Sequence, residues 1–342
     1  MVSLPNALLA LPPAFRLEDA GRLGVSAKVL RRAVRDDLIR RVAAGYFVQI
    51  AVWDAASARD RHLMLAQIAS WQRPWAAVSH HSAALWHELP VPSRLPGWIT
   101  QTTDHDTGSA NHNGLARLEP GALSSDEVVM LGEVLLTDVT RTVIDCFRTL
   151  PLGDAVAIAD VAVRRHLTSV PQLLEQRHRE RGWPSIRQAD TGLWLLDPAR
   201  ESWFESASFV QLWKDGIPVP EHQVTVLDEK REFVARTDGL WQAEGVVGEA
   251  DGAGKYLGEF DEDGPSALAA ARAVLAEKQR EERVHRLGLE FARWAPTDTY
   301  ADRVSTVRSA FSRGDGSRFR GHFVSSPLSR HTARAGVAAP TW

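Results

Sequence analysis

The chain has 342 residues, of which 44% are hydrophobic and 24% charged, with a formal net charge of -3 at pH 7. This composition is typical of a globular protein with two or three domains and excludes a largely disordered chain. The net charge gives no global argument for nucleic acid, so any such argument depends on local clusters of cations. No apolar run reaches the length of about 18 residues needed to cross a bilayer, so no membrane partner is predicted.

The single cysteine, Cys146, excludes an internal disulfide framework and a cysteine-based zinc site. A chain without disulfides fits a reducing compartment. The opening segment MVSLPNALLALPPAF lacks the basic start of a signal peptide. The sequence therefore predicts a cytoplasmic protein.

Residues 14–50 predict a short helix, a turn at Gly24, a second helix capped by Ser26 and a hairpin around Gly45. This order is typical of a winged helix-turn-helix, so residues 1–50 are predicted to form a DNA-binding domain of that type. On the second helix, the apolar stripe expected to face the core of the domain comprises Leu30, Ala33, Val34 and Leu38.

Cations are concentrated in the second of these helices and in the hairpin. Residues 26–41 contain six lysines and arginines against two aspartates. The candidate DNA-binding residues are Lys28, Arg31, Arg32, Arg35, Arg40 and Arg41. A helix with a row of cations suits the phosphates along a major groove, so double-stranded DNA is the predicted partner. A solvated helix face is the alternative, because lysine and arginine favour helices in any case.

Residues 55–198 are predicted to form a mixed α/β middle domain. It is expected to contain helices at 60–71, at 79–90 and at 152–166, and a strand at 97–103. His80, His81 and His87 raise the question of a metal site, but no acidic residue separates histidines four apart, so packing or capping is favoured. A second group of polar residues is expected to form either a polar functional site or structural ion pairs: Asp138, Arg141, Asp145 and Asp160.

Residues 199–312 have the clearest order of elements, and residues 313–342 are predicted to be a disordered basic tail rich in Gly, Ser and Arg. The predicted order is αβββαβ followed by a last helix. The predicted spans are 201–216, 222–228, 232–241, 245–252, 265–287, 289–294 and 298–312. The chain is therefore predicted to be an α/β protein, α+β overall.

Carboxylates end two adjacent predicted strands. Glu249 and Asp251 project to one face because they are two residues apart, and a tight turn at 242–245 places Asp238 level with them. Glu205 lies on the helix expected to pack beside this hairpin. Converging carboxylates repel each other unless a cation separates them, and oxygen ligands suit Mg²⁺. The alternative is that both aspartates take ordinary Asp-Gly turn positions.

The sequence therefore predicts a site for Mg²⁺ or Mn²⁺ with Asp238, Glu249 and Asp251 as ligands. Such an ion would polarise a phosphodiester and activate a water. Glu205 is a further candidate ligand, and Lys255 is expected to reach the attacking water or the scissile phosphate. These five residues are the candidate catalytic set.

The last third of the chain resembles the PD-(D/E)XK, or restriction-endonuclease-like, superfamily, and within it the very-short-patch-repair (Vsr-like) endonucleases. The matching stretches are ESWFES with Glu205, ARTDGLW with Asp238, VVGEADGAGKY with Glu249 and Asp251, and EKQREERVHRLGLEFARW at 277–294. The lysine of the superfamily's ExK motif is replaced by Asp251, which leaves Lys255 as the candidate cation. The resemblance implies a nuclease fold in residues 199–312.

The first half resembles AbiEi-type antitoxins of actinobacteria. The resemblance lies in the winged helix at 14–48, in SHHSAALWHELPVPS at 79–93 and in LLTDVTRTVIDCFR at 135–148. It implies a DNA-binding protein that represses its own operon and opposes a nucleotidyltransferase toxin. Two functions are therefore predicted: a metal-dependent DNA endonuclease targeted by its winged helix, or an antitoxin-like autorepressor whose nuclease-like domain is inactive. A protein-binding role for residues 55–198 is a third possibility.

Overall fold

The computed structural model describes residues 6–91, 96–104, 114–251 and 267–330. Helices and mixed or antiparallel sheets occur together along these residues, which confirms the α+β class. The chain divides into two compact units, Met1–Cys146 and Phe147–Trp342. Separate hydrophobic clusters lie within each unit.

The helices that begin in the first unit are α1 (Asn6–Leu9), α2 (Leu17–Arg22), α3 (Ala27–Arg35), α4 (Ile50–Ala55), α5 (Ala58–Gln72), α6 (His80–Trp86) and α7 (Val139–Thr149). Its strands are β1 (Ala14–Arg16), β2 (Ile39–Ala43), β3 (Tyr46–Gln49), β4 (Ala77–Val78), β5 (Ile99–Thr103), β6 (Ala116–Pro120), β7 (Val128–Leu131) and β8 (Val134–Thr137). They form one sheet in the order β1-β3-β2 and another in the order β6-β5-β4-β8-β7.

The predicted helix, turn, helix and hairpin of residues 14–50 are confirmed as α2, α3, β2 and β3. Gly24 and Gly45 have positive φ angles of 75° and 84°, which suits glycine at these two turns. Leu30 and Ala33 lie in the core of this segment together with Phe15 and Phe47. Val34 was expected in the same stripe but is 37% exposed.

The second sheet of the first unit packs against α5 and α6. Ala66, Ala69 and Ala83 of these helices form one buried cluster with the strand residues Ile99 and Leu136. Small alanine side chains let a helix approach a sheet closely. The predicted helix at 60–71, the helix following Ser79 and the strand at 97–103 are confirmed.

The helices of the second unit are α8 (Leu152–Arg164), α9 (Val170–Arg179), α10 (Ile186–Leu195), α11 (Trp203–Lys214), α12 (Ala267–Arg286) and α13 (Tyr300–Arg313). Its strands are β9 (Glu221–Leu227), β10 (Phe233–Trp241), β11 (Val246–Ala250), β12 (Glu290–Trp294) and β13 (His322–Val324). They form one sheet in the order β12-β11-β10-β9-β13. The predicted αβββαβ order, with its last helix, is confirmed.

Helices cover both faces of this sheet. Val246 and Ala250 of β11 share a buried cluster with Phe209 of α11 and Val307 of α13. Val247, between them on the strand, belongs to the cluster that contains Val284 of α12. Because alternate strand residues point to opposite faces, α11 and α13 lie on one face and α12 on the other.

The compact units do not coincide with the predicted domains 1–50, 55–198 and 199–312. The division between units falls at residues 146 and 147, inside the predicted middle domain. Residues 147–198 belong to the second unit, where α8 packs on α11. A buried ion pair between Asp160 of α8 and Arg200 crosses the predicted boundary, with an Nη1–Oδ2 distance of 2.8 Å.

The prediction of a disordered tail from residue 313 onward is wrong for residues 314–330. β13 pairs antiparallel with β9, with Phe323 opposite Val226, and completes one edge of the sheet. Phe319 and Phe323 stack with ring centroids 4.0 Å apart. A strand of three residues leaves no readable alternation in the sequence, so composition alone suggested disorder. Residues 331–342 lie outside the described residues.

Within the described ranges, each helix is either shorter or more polar than a bilayer-crossing helix must be.

Candidate functional site

Helix α3 presents cations on one side and apolar residues on the other. The Ser26 hydroxyl accepts a hydrogen bond from the backbone N–H of Val29 at 3.4 Å and caps the helix. Leu30 and Ala33 are only 2% and 3% exposed, because they pack in the core. The six candidate DNA-binding residues are all exposed: Lys28, Arg31, Arg32, Arg35, Arg40 and Arg41.

Half of these cations have partners within the chain. Arg32 lies 3.3 Å from the Asp36 carboxylate, and Arg41 donates to the carbonyl of Ala43 at 3.4 Å. The Arg40 guanidinium lies 5.9 Å from the centroid of the Trp53 ring. Among the described residues, no hydrogen bond or ion pair engages the side chains of the other three, Lys28, Arg31 and Arg35. Their charge is therefore directed to solvent and to any anion that approaches α3.

The pairing of β10 with β11 places Asp238 opposite Glu249, as the sequence predicted. Gly239 lies opposite Gly248 in the antiparallel pair, so Asp238 is level with Glu249, one step further along. The Asp238 carboxylate also accepts a hydrogen bond from the backbone N–H of Ala250 at 2.9 Å. The tight turn before β11 thus has the predicted effect on the register.

Two arginines hold Glu249. Its carboxylate oxygens accept hydrogen bonds from Arg280 of α12 at 2.7 and 2.8 Å, and from Arg293 of β12 at 2.8 Å. Arg293 also lies 2.7 Å from Glu277 and 3.1 Å from Asp251. Burial opposes the charge of Arg280, but hydrogen bonds to Glu277 and Glu249 outweigh burial and raise the pKa of Arg280. These five residues form what we call the arginine–carboxylate network.

Glu205 does not join this network. It lies on α11, on the opposite face of the sheet from α12, and is 6% exposed. One carboxylate oxygen accepts hydrogen bonds from the backbone N–H of Glu201 at 2.9 Å and from the amide of Gln223 at 3.1 Å. Glu205, expected as a further ligand, therefore lies apart from Asp238, Glu249 and Asp251, because α11 and α12 cover different faces of the sheet.

The residues as placed do not fit a divalent cation. In the described part of the chain, no group of three or more His, Cys, Asp or Glu side chains is arranged to hold a metal ion. The oxygens of Glu249 already bind guanidinium groups, which supply the counter-charge that Mg²⁺ or Mn²⁺ was expected to supply. Lys255, the candidate catalytic cation, lies outside the described residues.

Sequence reasoning missed Arg280 and Arg293 as partners of Glu249. The only signal for Arg280 is its position three residues after Glu277, which allows an ion pair on one helix face. Arg293 lies directly opposite Glu249 in the parallel pairing of β11 and β12. That pairing joins residues from separate parts of the chain, so it has no local signal.

A buried polar network supports the strand that carries Asp238. Asp160, 1% exposed, accepts hydrogen bonds from Arg200 and from the Ser206 hydroxyl, both at 2.8 Å. Burial raises the pKa of Asp160, although Arg200 acts in the opposite direction. Arg200 donates to Nε2 of His222 at 3.0 Å, so Nδ1 of His222 carries the proton and donates to the Asp238 carbonyl at 3.0 Å. This network fixes the backbone of β10 at Asp238.

In the first unit the predicted polar group consists of structural pairs. Arg141, 1% exposed, lies 3.1 Å from Asp145 and 3.2 Å from Glu127. Its backbone N–H donates to Asp138 at 2.7 Å. Asp160 was expected in the same group but belongs to the second unit. The structural interpretation therefore applies to these residues.

The histidines near Ser79 are bound to protein groups. His80 Nδ1 lies 2.8 Å from the Ser79 hydroxyl, and His87 donates through Nε2 to the Thr137 carbonyl at 2.8 Å. His81 and His62 stand with ring centroids 5.4 Å apart. Burial lowers the pKa of His62 to about 4 and that of His81 to about 3, so both rings are neutral at pH 7.

We expect the first unit to lose stability as the pH falls below 6.5. The unfolded state binds protons on His62 and His81 near pH 6.5, whereas the folded state binds them only near pH 4 and pH 3. The free energy of unfolding should fall by up to about 1.4 kcal/mol per pH unit for each histidine. Urea unfolding at a series of pH values measures this slope. His81→Gln should reduce this slope. Equal stability at pH 6.5 and about pH 5 would contradict the burial of both rings.

The arginine–carboxylate network gives a test of the metal site. Glu249→Gln removes the carboxylate that both arginines share and should lower the free energy of unfolding by about 1–3 kcal/mol, because Glu277 and Asp251 remain beside the two guanidinium groups. Glu201→Gln, which breaks an exposed pair with Arg236, should change it by less than about 1 kcal/mol. Mg²⁺ or Mn²⁺ should leave the thermal midpoint of the wild-type protein unchanged. A rise in that midpoint that Glu249→Gln abolishes would show that the carboxylates bind a metal.

No protein-family model matches the chain, and no match was found among curated proteins. Any functional proposal therefore depends on the geometry of the exposed cations and of the carboxylates.

Proposed function

We propose that the protein binds double-stranded DNA through α3 and the β2–β3 hairpin. The observation that supports this proposal most strongly is a set of exposed cations on α3, opposite its buried apolar side. Lys28, Arg31 and Arg35 have no hydrogen-bond or ion-pair partner among the residues that the structure describes. A helix fixed in this way presents its cations on a rigid surface, and DNA phosphates are the anions that match it.

The hairpin adds to this surface. Arg40 and Arg41 are exposed on β2, the strand that follows α3 and pairs with β3. In a winged helix-turn-helix the second helix enters the major groove, and a hairpin beside it contacts the sugar-phosphate backbone. The element order of residues 14–49 supports this mode of binding.

We propose further that the protein is a transcriptional regulator of the AbiEi antitoxin type that represses its own operon. This step rests on the resemblance of residues 14–48, 79–93 and 135–148, and it makes a nucleotidyltransferase toxin the proposed protein partner. The second unit then retains a nuclease-like fold that does not hydrolyse DNA. The arginines that bind Glu249 support this assignment, because they take the place of a catalytic cation.

Salt-dependent DNA binding tests the proposal. Removal of two phosphate contacts by Arg31→Ala with Arg35→Ala should lower the slope of log K against log salt by about 2. Arg283→Ala with Arg286→Ala removes the same charge from exposed positions of α12 and should leave the slope near that of the wild-type protein. Fluorescence anisotropy with the DNA upstream of the gene measures both. Equal slopes for the two double variants would contradict binding through α3.

A metal-dependent endonuclease is the second candidate function. The observation that favours it is the register that brings Asp238 level with Glu249, beside Asp251 on the same strand end. The endonuclease function requires that a divalent cation displaces the guanidinium groups of Arg280 and Arg293 from Glu249.

Supercoiled plasmid distinguishes the two functions. We expect the purified protein to leave plasmid intact in Mg²⁺ or Mn²⁺, since guanidinium groups neutralise Glu249. Gel electrophoresis of the products measures nicking. Cleavage that disappears in Asp238→Ala and in Glu249→Ala, but persists in the exposed control Glu201→Ala, would establish the endonuclease instead.

A further inference from the structure

The turn between α9 and α10 carries a second concentration of arginines. Residues 177–187 read RHRERGWPSIR, with four arginines and one glutamate. The turn connects the end of α9 at Arg179 to the start of α10 at Ile186. It belongs to the second unit and has no part in the functions described so far.

Hydrogen bonds keep this turn compact. The backbone N–H of Trp183 donates to the carbonyl of Glu180 at 3.0 Å, and that of Ile186 donates to the carbonyl of Trp183 at 3.3 Å. Arg148 of α7 donates to the Pro184 carbonyl at 3.1 Å, and its guanidinium lies 4.7 Å from the centroid of the Trp183 ring. The turn therefore presents its exposed side chains from a fixed backbone.

The acid within the turn is neutralised inside the protein. Glu180 is 1% exposed and accepts a hydrogen bond from the Gln176 amide at 3.0 Å. Its carboxylate also lies 3.5 Å from Arg148. Arg177 is held by Asp190, with two N–O distances of 2.5 and 2.7 Å. The charges of Glu180 and Arg177 are therefore paired within the protein. The other arginines of the turn define its surface.

The remaining cations face solvent. Arg181 and Arg187 are exposed, and neither side chain forms a hydrogen bond or an ion pair with any residue that the structure describes. Arg179 is 45% exposed and lies 3.7 Å from Glu175, itself 65% exposed, a pair that solvent weakens. His178 beside them is exposed as well. Arg181 and Arg187, which have no counter-charge among the described residues, favour an anionic partner.

We propose that this turn is a second DNA contact, in which Arg181 and Arg187 bind backbone phosphates. The proposal rests on the proposed DNA-binding function. Guanidinium groups match phosphate oxygens with two parallel hydrogen bonds, and such contacts carry no base specificity. An acidic protein surface is the less favoured partner, because Trp183, the aromatic side chain of the turn, is covered by Arg148 and offers no apolar anchor.

The test compares three double variants of the full-length protein on a labelled duplex of random sequence. Arg181→Ala with Arg187→Ala should lower the salt slope of binding by about 2. Arg283→Ala with Arg286→Ala, also exposed in the second unit, should leave it unchanged. Arg181→Lys with Arg187→Lys keeps both charges and should keep the slope. Thermal unfolding of each variant confirms that these surface changes leave the fold intact.

The outcomes separate this proposal from the function on which it rests. If Arg31→Ala with Arg35→Ala lowers the slope but the Arg181 and Arg187 variant matches its α12 control, α3 binds DNA and the second contact is refuted. If wild-type protein binds no duplex, the proposed function itself fails. Poly-glutamate serves as a competitor for the labelled duplex, in comparison with unlabelled duplex. If it competes as well as unlabelled duplex on wild-type protein, and the alanine variant loses only the competition by poly-glutamate, the turn selects acidic peptides. The proposed DNA contact is then overturned.

Discussion

Neutralisation of Glu249 is the constraint on which the centre of the second unit depends. A carboxylate that is 5% exposed in the middle of a sheet requires a cation close to it. Arg280 and Arg293 supply that charge, and in doing so they join α12 and β12 to β11. The same bonds occupy the carboxylate oxygens that a metal ion would need as ligands.

Arginines have two different roles in this structure. In the second unit, arginines such as Arg200 and Arg280 lie among carboxylates and carbonyls and hold elements together. On α3 the arginines point away from a core formed by Leu30 and Ala33, and several have no partner among the described residues. A paired cation stabilises the fold, whereas an unpaired exposed cation is free to bind an anion. This difference in pairing, rather than the number of cations, is the basis of the proposed DNA contacts on α3 and at the turn between α9 and α10.

The buried ion pair of Asp160 and Arg200 also explains why the domain boundaries differ from those predicted. The sequence changes character near residue 198, where the last helix before ESWFES ends. Packing follows a different rule: α8 and α10 bury their apolar faces in the second unit, and the fully buried Asp160 requires Arg200 from beyond that point. A boundary between compact units follows the contacts of buried groups, which a change in composition does not reveal.

The sequence by itself determined the order and type of the main elements, the cap at Ser26, and the exposure of the cations on α3. These depend on periodicity and on residues close together in the chain. The tertiary structure alone decided what surrounds Glu249 and that Glu205 lies on the other face. Arg280 and Arg293 are 31 and 44 residues away from Glu249, so their approach depends on strand register and helix packing. Carboxylates alone suggest a bound metal ion. Only the arrangement of the chain shows that guanidinium groups lie beside Glu249.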